Sequence, residues 1–391
     1  MNPISNPYSP GAGTPPPELT GRDDIRERVR IAIERIRIGR ASKSILMIGL
    51  RGVGKTVLLD KMRNEAEASG HFTIRIEAPE QRSLPGILAP QLRQALLKLS
   101  RVEKARDLAT RALRGLAGFA KLKAIYQDLE ISLDFSPEPG LADNGDLESD
   151  LQDLMAAIGQ AAKAAESSFI MFIDELQYVP EEQLGHLIAA LHKVSQLSLP
   201  LTLVGAGLPQ LTGQMGKAKS YAERLFDFPF IGALGPEDAR AALSVPAEKE
   251  NVSFEPAALD YIVTQTQGYP YFLQEWGKHA WDEAKSSPIT LADCEAANAI
   301  AIAALDASFF RVRFDRLTPS EKKYLRAMAE LGAGPHRSGD IAEKLARTSQ
   351  SLAPVRAKLI EKGMIWSPNH GDTAFSVPLF DPYMKRIMPD F

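Results

Sequence analysis

Residues 44–59 read SILMIGLRGVGKTVLL: an apolar segment, a loop with three glycines, a lysine and a threonine, then a second apolar run. Within it, Gly49-Leu50-Arg51-Gly52-Val53-Gly54-Lys55-Thr56 has the spacing G-x-x-x-x-G-K-[ST] of a phosphate-binding loop. Glycines admit φ values that a Cβ forbids, so successive N–H groups can turn inward and form an anion nest. A helix starting at the end of the loop adds its positive terminus at the same point. Lys55 carries a point charge to the β/γ-phosphates, and the Thr56 hydroxyl is suited to Mg²⁺. Gly49, Gly52, Val53, Gly54, Lys55, Thr56 and Val57 are therefore the expected nucleotide-contacting set. A plain glycine turn with an incidental lysine is the alternative, and the flanking strand and helix patterns argue against it.

Upstream, RDDIRERVRIAIERIRIG predicts an amphipathic helix with Ile25, Val29, Ile31, Ile33, Ile36 and Ile38 mostly on one stripe and Gly39 as its stop. Downstream come a helix over 54–69 ended by Gly70 and the strand FTIRIE. Strand, loop, helix and strand in that order are the grammar of a parallel sheet with crossover helices. From Gln81 to about Gly118 the pattern is helical and basic, either a solvated helix face or a surface facing nucleic acid. SPEPGLADNGD must be a loop. A helix over 147–165, the strand FIMFI at 169–173, a helix over 181–197 and the strand LTLVGA at 201–206 complete the alternation. Residues 236–310 read as all-helical, with Phe272, Leu273, Trp276 and Ala280 as core.

A nucleotide site that hydrolyses needs an acid to hold the metal shell and a base to orient water. FIMFIDELQ offers both, because Asp174 and Glu175 end a buried parallel-type strand, where open α/β sheets bind ligands. Asp174 is expected to hold Mg²⁺, with Thr56, and Glu175 to polarise the attacking water.

With TGRDDIRERV, GLRGVGKT, IDELQ and GYP in place, the chain resembles AAA+-type P-loop ATPases of the origin-recognition initiator and STAND groups over residues 16 to about 285. The resemblance implies ATP as the nucleotide. It places Pro17, Leu19, Gly21 and Arg22 beside the adenine, with a plain helix-entry turn as the alternative reading. It also implies that Pro270 touches the nucleotide from a helical lid, although proline is ordinary in a first helical turn. Arg224 of SYAERLFDF stands where related ATPases carry an arginine finger for a neighbouring subunit, and a surface ion pair is its alternative. Two departures stand out: LTLVGAG ends in glycine and alanine where a polar sensor is common, and Tyr271 stands where initiators place a second sensor arginine. Both point to slow turnover or a switch.

Residues 311–391 read as three helices and a hairpin, the winged-helix form of helix-turn-helix, with Ser351 as an N-cap, Pro354 in the first turn and Gly363 closing the last helix. This stretch carries 14 Lys/Arg against 9 Asp/Glu, while the whole chain has a net charge of -3, so positive charge is segregated here. Arg356, Lys358 and Lys362 are candidate phosphate contacts, and Arg347, Ser349 and Gln350 candidates near the major groove of DNA. The wing tip SPNHGD lacks Lys and Arg, which keeps a protein-contact role open.

The expected fold class is thus α/β: a P-loop NTPase (AAA+-like) parallel sheet core with a helical lid and a C-terminal winged-helix domain. The expected divisions are a proline-rich arm (1–20), the ATPase core (21–235), the lid (236–310) and the winged helix (311–391). A single cysteine, Cys294, excludes an internal disulfide and suits a reducing cytoplasm. The first 21 residues lack the basic and apolar regions of a leader, and no run is long enough to span a membrane. The six histidines show no metal spacing, and no serine lies in a nucleophile elbow. The leading expectation is an ATPase that uses ATP and Mg²⁺ and whose nucleotide state positions a winged helix on DNA, with Arg224 completing the site in a homo-oligomer. The rival is a STAND-like signalling switch whose winged helix meets a protein partner; the chain's end soon after the wing favours the first. Intact Lys55, Asp174 and Glu175 speak against a dead scaffold.

Overall fold

The computed structural model describes residues 1–391 except 12, 14, 15, 80–82, 122–135, 370 and 391, and the side chains of 120 and 121. Gln81, where the basic helical stretch was expected to begin, and His370 of the wing tip lie outside the described residues. The chain forms two compact units, one of residues 22–49 and 55–231, the other of 1–21, 50–54 and 232–391.

The first unit opens with α1 (Asp23–Arg37), followed by β1 (Ser44–Gly49), α2 (Lys55–Ala68), β2 (Phe72–Glu77), α3 (Leu84–Leu99), α4 (Arg106–Lys121) and α5 (Leu147–Ala164). Then come β3 (Phe169–Asp174), α6 (Glu181–Gln196), β4 (Leu201–Gly207), α7 (Gln210–Ala218), α8 (Ala222–Leu225), β5 (Phe226–Asp227) and β6 (Phe230–Ile231). All the strand pairs are parallel, in the order β2-β3-β4-β1-β5, and β6 also pairs with β1. Every residue of β1, β3 and β4 is buried, as expected of strands covered by helices on both faces. Edge strand β2 alternates instead and keeps Arg75 half-buried. The two-residue strands β5 and β6 extend the sheet beyond the expected alternation, held by register pairs such as Ile45↔Asp227 and Ile48↔Phe230.

On α1, Ile25, Val29, Ile33 and Ile36 are buried, but Ile31 and Ile38 are 44% and 62% exposed, which corrects the expected stripe. Ile31 lies two positions from Val29 and so on another face, and Ile38 is the C-cap, where the helical period has ended. The loop 136–146 is pinned by buried Asp150, whose carboxylate accepts from the amides of Asn144 (2.9 Å) and Gly145 (3.1 Å).

The second unit contains α9 (Pro236–Lys249), α10 (Pro256–Thr266), α11 (Pro270–Glu283), α12 (Leu291–Leu305), α13 (Arg311–Asp315) and α14 (Pro319–Glu330). These are followed by β7 (His336–Arg337), α15 (Ser338–Lys344), α16 (Ser349–Glu361), β8 (Ile365–Trp366), β9 (Asp372–Phe375) and α17 (Phe380–Ile387). Phe272, Leu273, Trp276 and Ala280 of α11 are buried. The N-terminal arm is part of this unit: the Tyr8 ring is buried against Gly277, its hydroxyl donates to the Leu243 carbonyl, and Trp281 donates to the Asn2 carbonyl at 3.0 Å.

Toward the C-terminus, β7, β9 and β8 form an antiparallel sheet beside α14, α15 and α16. Thr348, not Ser351, caps α16, its hydroxyl accepting from the Ser351 amide at 3.3 Å. Pro354 consequently falls inside the helix rather than in its first turn. The unexpected α17 packs on α14 and inserts Phe380 and Tyr383 into an aromatic cluster with Phe310, Phe314 and Phe375. No helix among the described residues is long and apolar enough to cross a membrane.

Candidate functional site

β1 delivers the chain to Gly49, and α2 begins at Lys55, so the glycine loop sits between a buried strand and a helix N-terminus, where the first N–H groups have no intrahelical acceptor. Gly52 and Gly54 take φ of +82° and +90°, the left-handed region where a side chain is strained. Nothing lies within 4 Å of a Cβ built on Gly54, so the space beside it is open. Val53 of the loop is buried and Val57 half-buried on α2. Lys55 is only 6% exposed and its ammonium donates to the Gly49 carbonyl at 2.9 Å.

Asp174 is the last residue of β3, and Glu77 of β2 stands beside it in register. Its Oδ2 accepts from the Thr56 hydroxyl at 2.7 Å and faces Arg75 Nη2 at 3.3 Å, while Oδ1 accepts from the Glu175 amide at 2.9 Å. The Asp174 side chain is 1% exposed, so its charge is balanced almost wholly by these partners. Glu175 adopts the left-handed conformation (φ +55°), which turns the chain into a short 3₁₀ turn over Leu176–Tyr178. Its Oε2 accepts from the Gln177 side-chain amide. Thr56 and Asp174 offer hard oxygen donors converging at hydrogen-bond distance, which fits Mg²⁺. Among the described residues no cluster of three or more His, Cys, Asp or Glu is placed to hold a metal ion.

Two residues join this group that the sequence did not single out. Arg75 reaches from β2 to Asp174 and is itself anchored by Asp60 at 2.7 Å. Gln177 accepts from the Leu208 amide at 3.1 Å through Oε1 while donating to Glu175, so it ties the end of β4 to the acid. The glycines of LTLVGAG have a packing reason: a Cβ on Gly205 would lie 2.5 Å from Leu176 Cδ1, and one on Gly207 would lie 2.6 Å from Leu211 Cδ2. An IDELQ segment followed by a small-residue strand is the local signal for Gln177; Arg75 leaves none beyond a charge inside a strand.

The other expected positions are more scattered. Arg224 is exposed on α8, and among the described residues no carboxylate pairs with it and nothing joins it to the Lys55–Asp174 group. Arg22 is the N-cap residue of α1. In the second unit, Gly21 (φ +66°) lies against Asp238, whose backbone carbonyl accepts from the Thr20 hydroxyl at 2.9 Å. Pro17 is exposed and Leu19 half-buried. Pro270 is the first residue of α11. Arg347, Ser349, Gln350 and Lys358 are exposed, but Arg356 is hydrogen-bonded to Thr373 (2.8 Å), Ser367 (2.9 Å) and the Asp372 carbonyl (2.8 Å), and Lys362 is engaged with Glu321 at 2.7 Å.

Residues 18–204 match the family model described as AAA ATPase domain. By this match residues 18–204 are an AAA ATPase domain. Residues 307–384 match a model described as a domain of unknown function (DUF8462). A Walker-type ATPase of Pyrococcus abyssi shares the fold with a TM-score of 0.59 at 17% identity, over 95% of this chain and 97% of that one. The Aeropyrum pernix ORC1 protein, solved in complex with DNA, aligns over 95% of this chain and 94% of that one at 14% identity and TM-score 0.46. The Thermotoga maritima RuvB Holliday junction branch migration motor aligns over 90% and 92% at 16% identity and TM-score 0.44. No curated protein matches the sequence. The phosphate loop and the Asp174–Glu175 pair both fall inside the stretch matched as the AAA ATPase domain.

Proposed function

We propose that the chain binds ATP with Mg²⁺ at residues 49–57, hydrolyses it slowly, and couples nucleotide state to DNA binding by its C-terminal module. The observation that carries the nucleotide reading is the convergence of Thr56 and Asp174 at 2.7 Å beside buried Lys55. The loop amides and Lys55 bind the β- and γ-phosphates, and Lys55 exchanges its contact with the Gly49 carbonyl for phosphate oxygen. Bound Mg²⁺ would supply charge neutralisation at those phosphates, held by Thr56 and Asp174. Glu175 orients and polarises the attacking water, and Gln177 holds its carboxylate in one direction. Arg224, exposed and without a carboxylate partner among the described residues, serves the γ-phosphate of a neighbouring copy. Gly21, Arg22 and Pro270 complete the nucleotide contacts.

The C-terminal residues 311–391 are read as a winged helix that binds DNA. Support comes from the helices α14, α15 and α16 followed by the β8–β9 hairpin, from the positive charge of this stretch, and from exposed Arg347, Ser349, Gln350 and Lys358 at or on α16. Arg356 contributes by bracing the hairpin. A second reading, in which this module meets a protein partner, draws on the same bonds: Arg356 and Lys362, two of the expected phosphate contacts, are occupied within the module. A DNA titration over a range of salt, with ATP, with ADP and without nucleotide, separates the two. A steep salt slope that changes with nucleotide supports the first, and weak binding indifferent to nucleotide supports the second.

A further inference from the structure

β2 turns one face toward α2: the Thr73 hydroxyl donates to the Glu67 carboxylate, and Arg75 Nε donates to Asp60 Oδ1 at 2.7 Å. These residues, with Thr56 and Asp174, all belong to the unit of residues 22–49 and 55–231. Asp60 lies about one turn beyond Thr56 on α2. Arg75 Nη1 donates to the Ile76 carbonyl at 2.6 Å, and Nη2 reaches Asp174 Oδ2 at 3.3 Å. That oxygen also accepts from the Thr56 hydroxyl at 2.7 Å, so a guanidinium and a hydroxyl share one oxygen of the proposed metal-holding carboxylate. The Arg75 side chain is 16% exposed and that of Asp174 1%, so little water screens the pair.

The order of the three distances decides the role of Arg75. A charge-assisted N–H···O⁻ bond is about 2.7–2.9 Å long, which the contact with Asp60 meets and the contact with Asp174 does not. The guanidinium is therefore anchored by Asp60 and the Ile76 carbonyl, and it stays in place when Asp174 takes another partner. A positive charge fixed beside a buried carboxylate reduces what a divalent cation gains there, because like charges repel strongly where water is sparse. Nucleotide phosphates beside Lys55 and Thr56 reverse that balance by bringing several negative charges.

We propose that Arg75 is a resident counter-charge to Asp174, which keeps free divalent cations out of the site and admits Mg²⁺ only together with nucleotide phosphates. The inference rests on the nucleotide reading above and adds an order of binding to it: the metal enters with the phosphates and not alone. Asp60 tempers the effect, since its carboxylate offsets part of the Arg75 charge.

The test is Mn²⁺ binding to the nucleotide-free full chain, followed by the electron paramagnetic resonance signal of the free ion, with a melting curve to check that each variant is folded. Arg75→Met should hold Mn²⁺ at least about tenfold more tightly than wild type, and Arg75→Lys about as weakly as wild type. Adding Asp174→Asn to Arg75→Met should abolish the gain. Calorimetry with ATP then reads the Mg²⁺ concentration that gives half of its enhancement of binding. That concentration should fall about tenfold in Arg75→Met and rise severalfold in Asp60→Asn, where Arg75 keeps its charge without its anchor. A purely structural role for the Arg75–Asp60 pair would move both variants the same way and overturn the proposal. Mn²⁺ binding in Arg75→Met no tighter than in wild type, a gain shared by Arg75→Lys, or a gain that survives Asp174→Asn also overturns it. If Arg75→Met does not fold, Asp60→Asn decides, and a lowered or unchanged Mg²⁺ requirement there overturns the proposal. If wild type binds no ATP, the nucleotide reading itself falls and takes this proposal with it; ATP binding that Lys55→Ala abolishes, with unchanged Mn²⁺ binding in Arg75→Met, sinks this proposal alone.

Discussion

Asp174 accepts hydrogen bonds from Thr56 and the Glu175 amide and, in the proposed function, also holds the metal; two substitutions separate these roles. In Asp174→Ala, the Thr56 hydroxyl loses an acceptor at 2.7 Å and the Glu175 amide loses one at 2.9 Å, whereas Arg75 keeps Asp60 at 2.7 Å and the Ile76 carbonyl at 2.6 Å. With about 1–3 kcal/mol for each group left unsatisfied, the cost for the two is about 2–6 kcal/mol. Asp174→Asn keeps an oxygen for the Glu175 amide and lets the Thr56 hydroxyl reverse its direction, but it sets an NH₂ against Arg75 Nη2, now 3.3 Å from Oδ2. One disturbed contact implies about 1–2 kcal/mol. Denaturant unfolding of the nucleotide-free proteins measures the order wild type, Asn, Ala. The same Asn variant, titrated with ATP in EDTA and then in Mg²⁺, should match wild type without metal and lose most of the enhancement that Mg²⁺ gives. An Ala variant as stable as wild type would refute the structural half; an Asn variant with undiminished Mg²⁺ enhancement would refute the other.

Gly54→Ala imposes a φ of +90° on a side-chain residue in otherwise open space, so the protein should fold with a loss of about 1–2 kcal/mol, yet bind ATP at least tenfold more weakly, whether the strain is kept or the loop relaxes and turns its amides away; calorimetry and a thermal melt check both. Burial alone would raise the Glu321 carboxyl, but the Lys362 ammonium and the Thr318 amide and hydroxyl outweigh it and hold it below the usual carboxylate value. A depressed folded value means stability that is present above the ordinary carboxylate pKa and lost as pH falls through the lower one, so Glu321→Gln should flatten that acid limb of the melting curve. The Cys294 thiol is buried in α12 and pushed up to about 12, so it stays protonated; maleimide at pH 8 should label the unfolded chain and spare the native one.

The sheet was readable because β1, β3 and β4 are uninterrupted apolar runs between glycine and polar boundaries, a pattern that burial on both faces requires. β5 and β6, at two residues each, are too short to show any period, and they exist only through their register with β1. The helix α17 was missed because FDPYMKRI places its apolar residues among turn formers, and its reason to fold is the aromatic cluster contributed by distant Phe310, Phe314 and Phe375. Lys55, Thr56, Asp174 and Glu175 carry their chemistry in local spacing. Arg75 does not: it acquires meaning from Asp174, far along the chain, and Gln177, though it stands in IDELQ, takes its direction from the distant Leu208 amide.

The claim on which the rest stands is that the 49–57 loop binds a nucleoside triphosphate. Titration of the purified chain with Mg-ATP measures it directly. Saturable heat for wild type, abolished by Lys55→Ala in a protein that still folds, is the expected result; no heat from wild type, or an unchanged titration in Lys55→Ala, contradicts it.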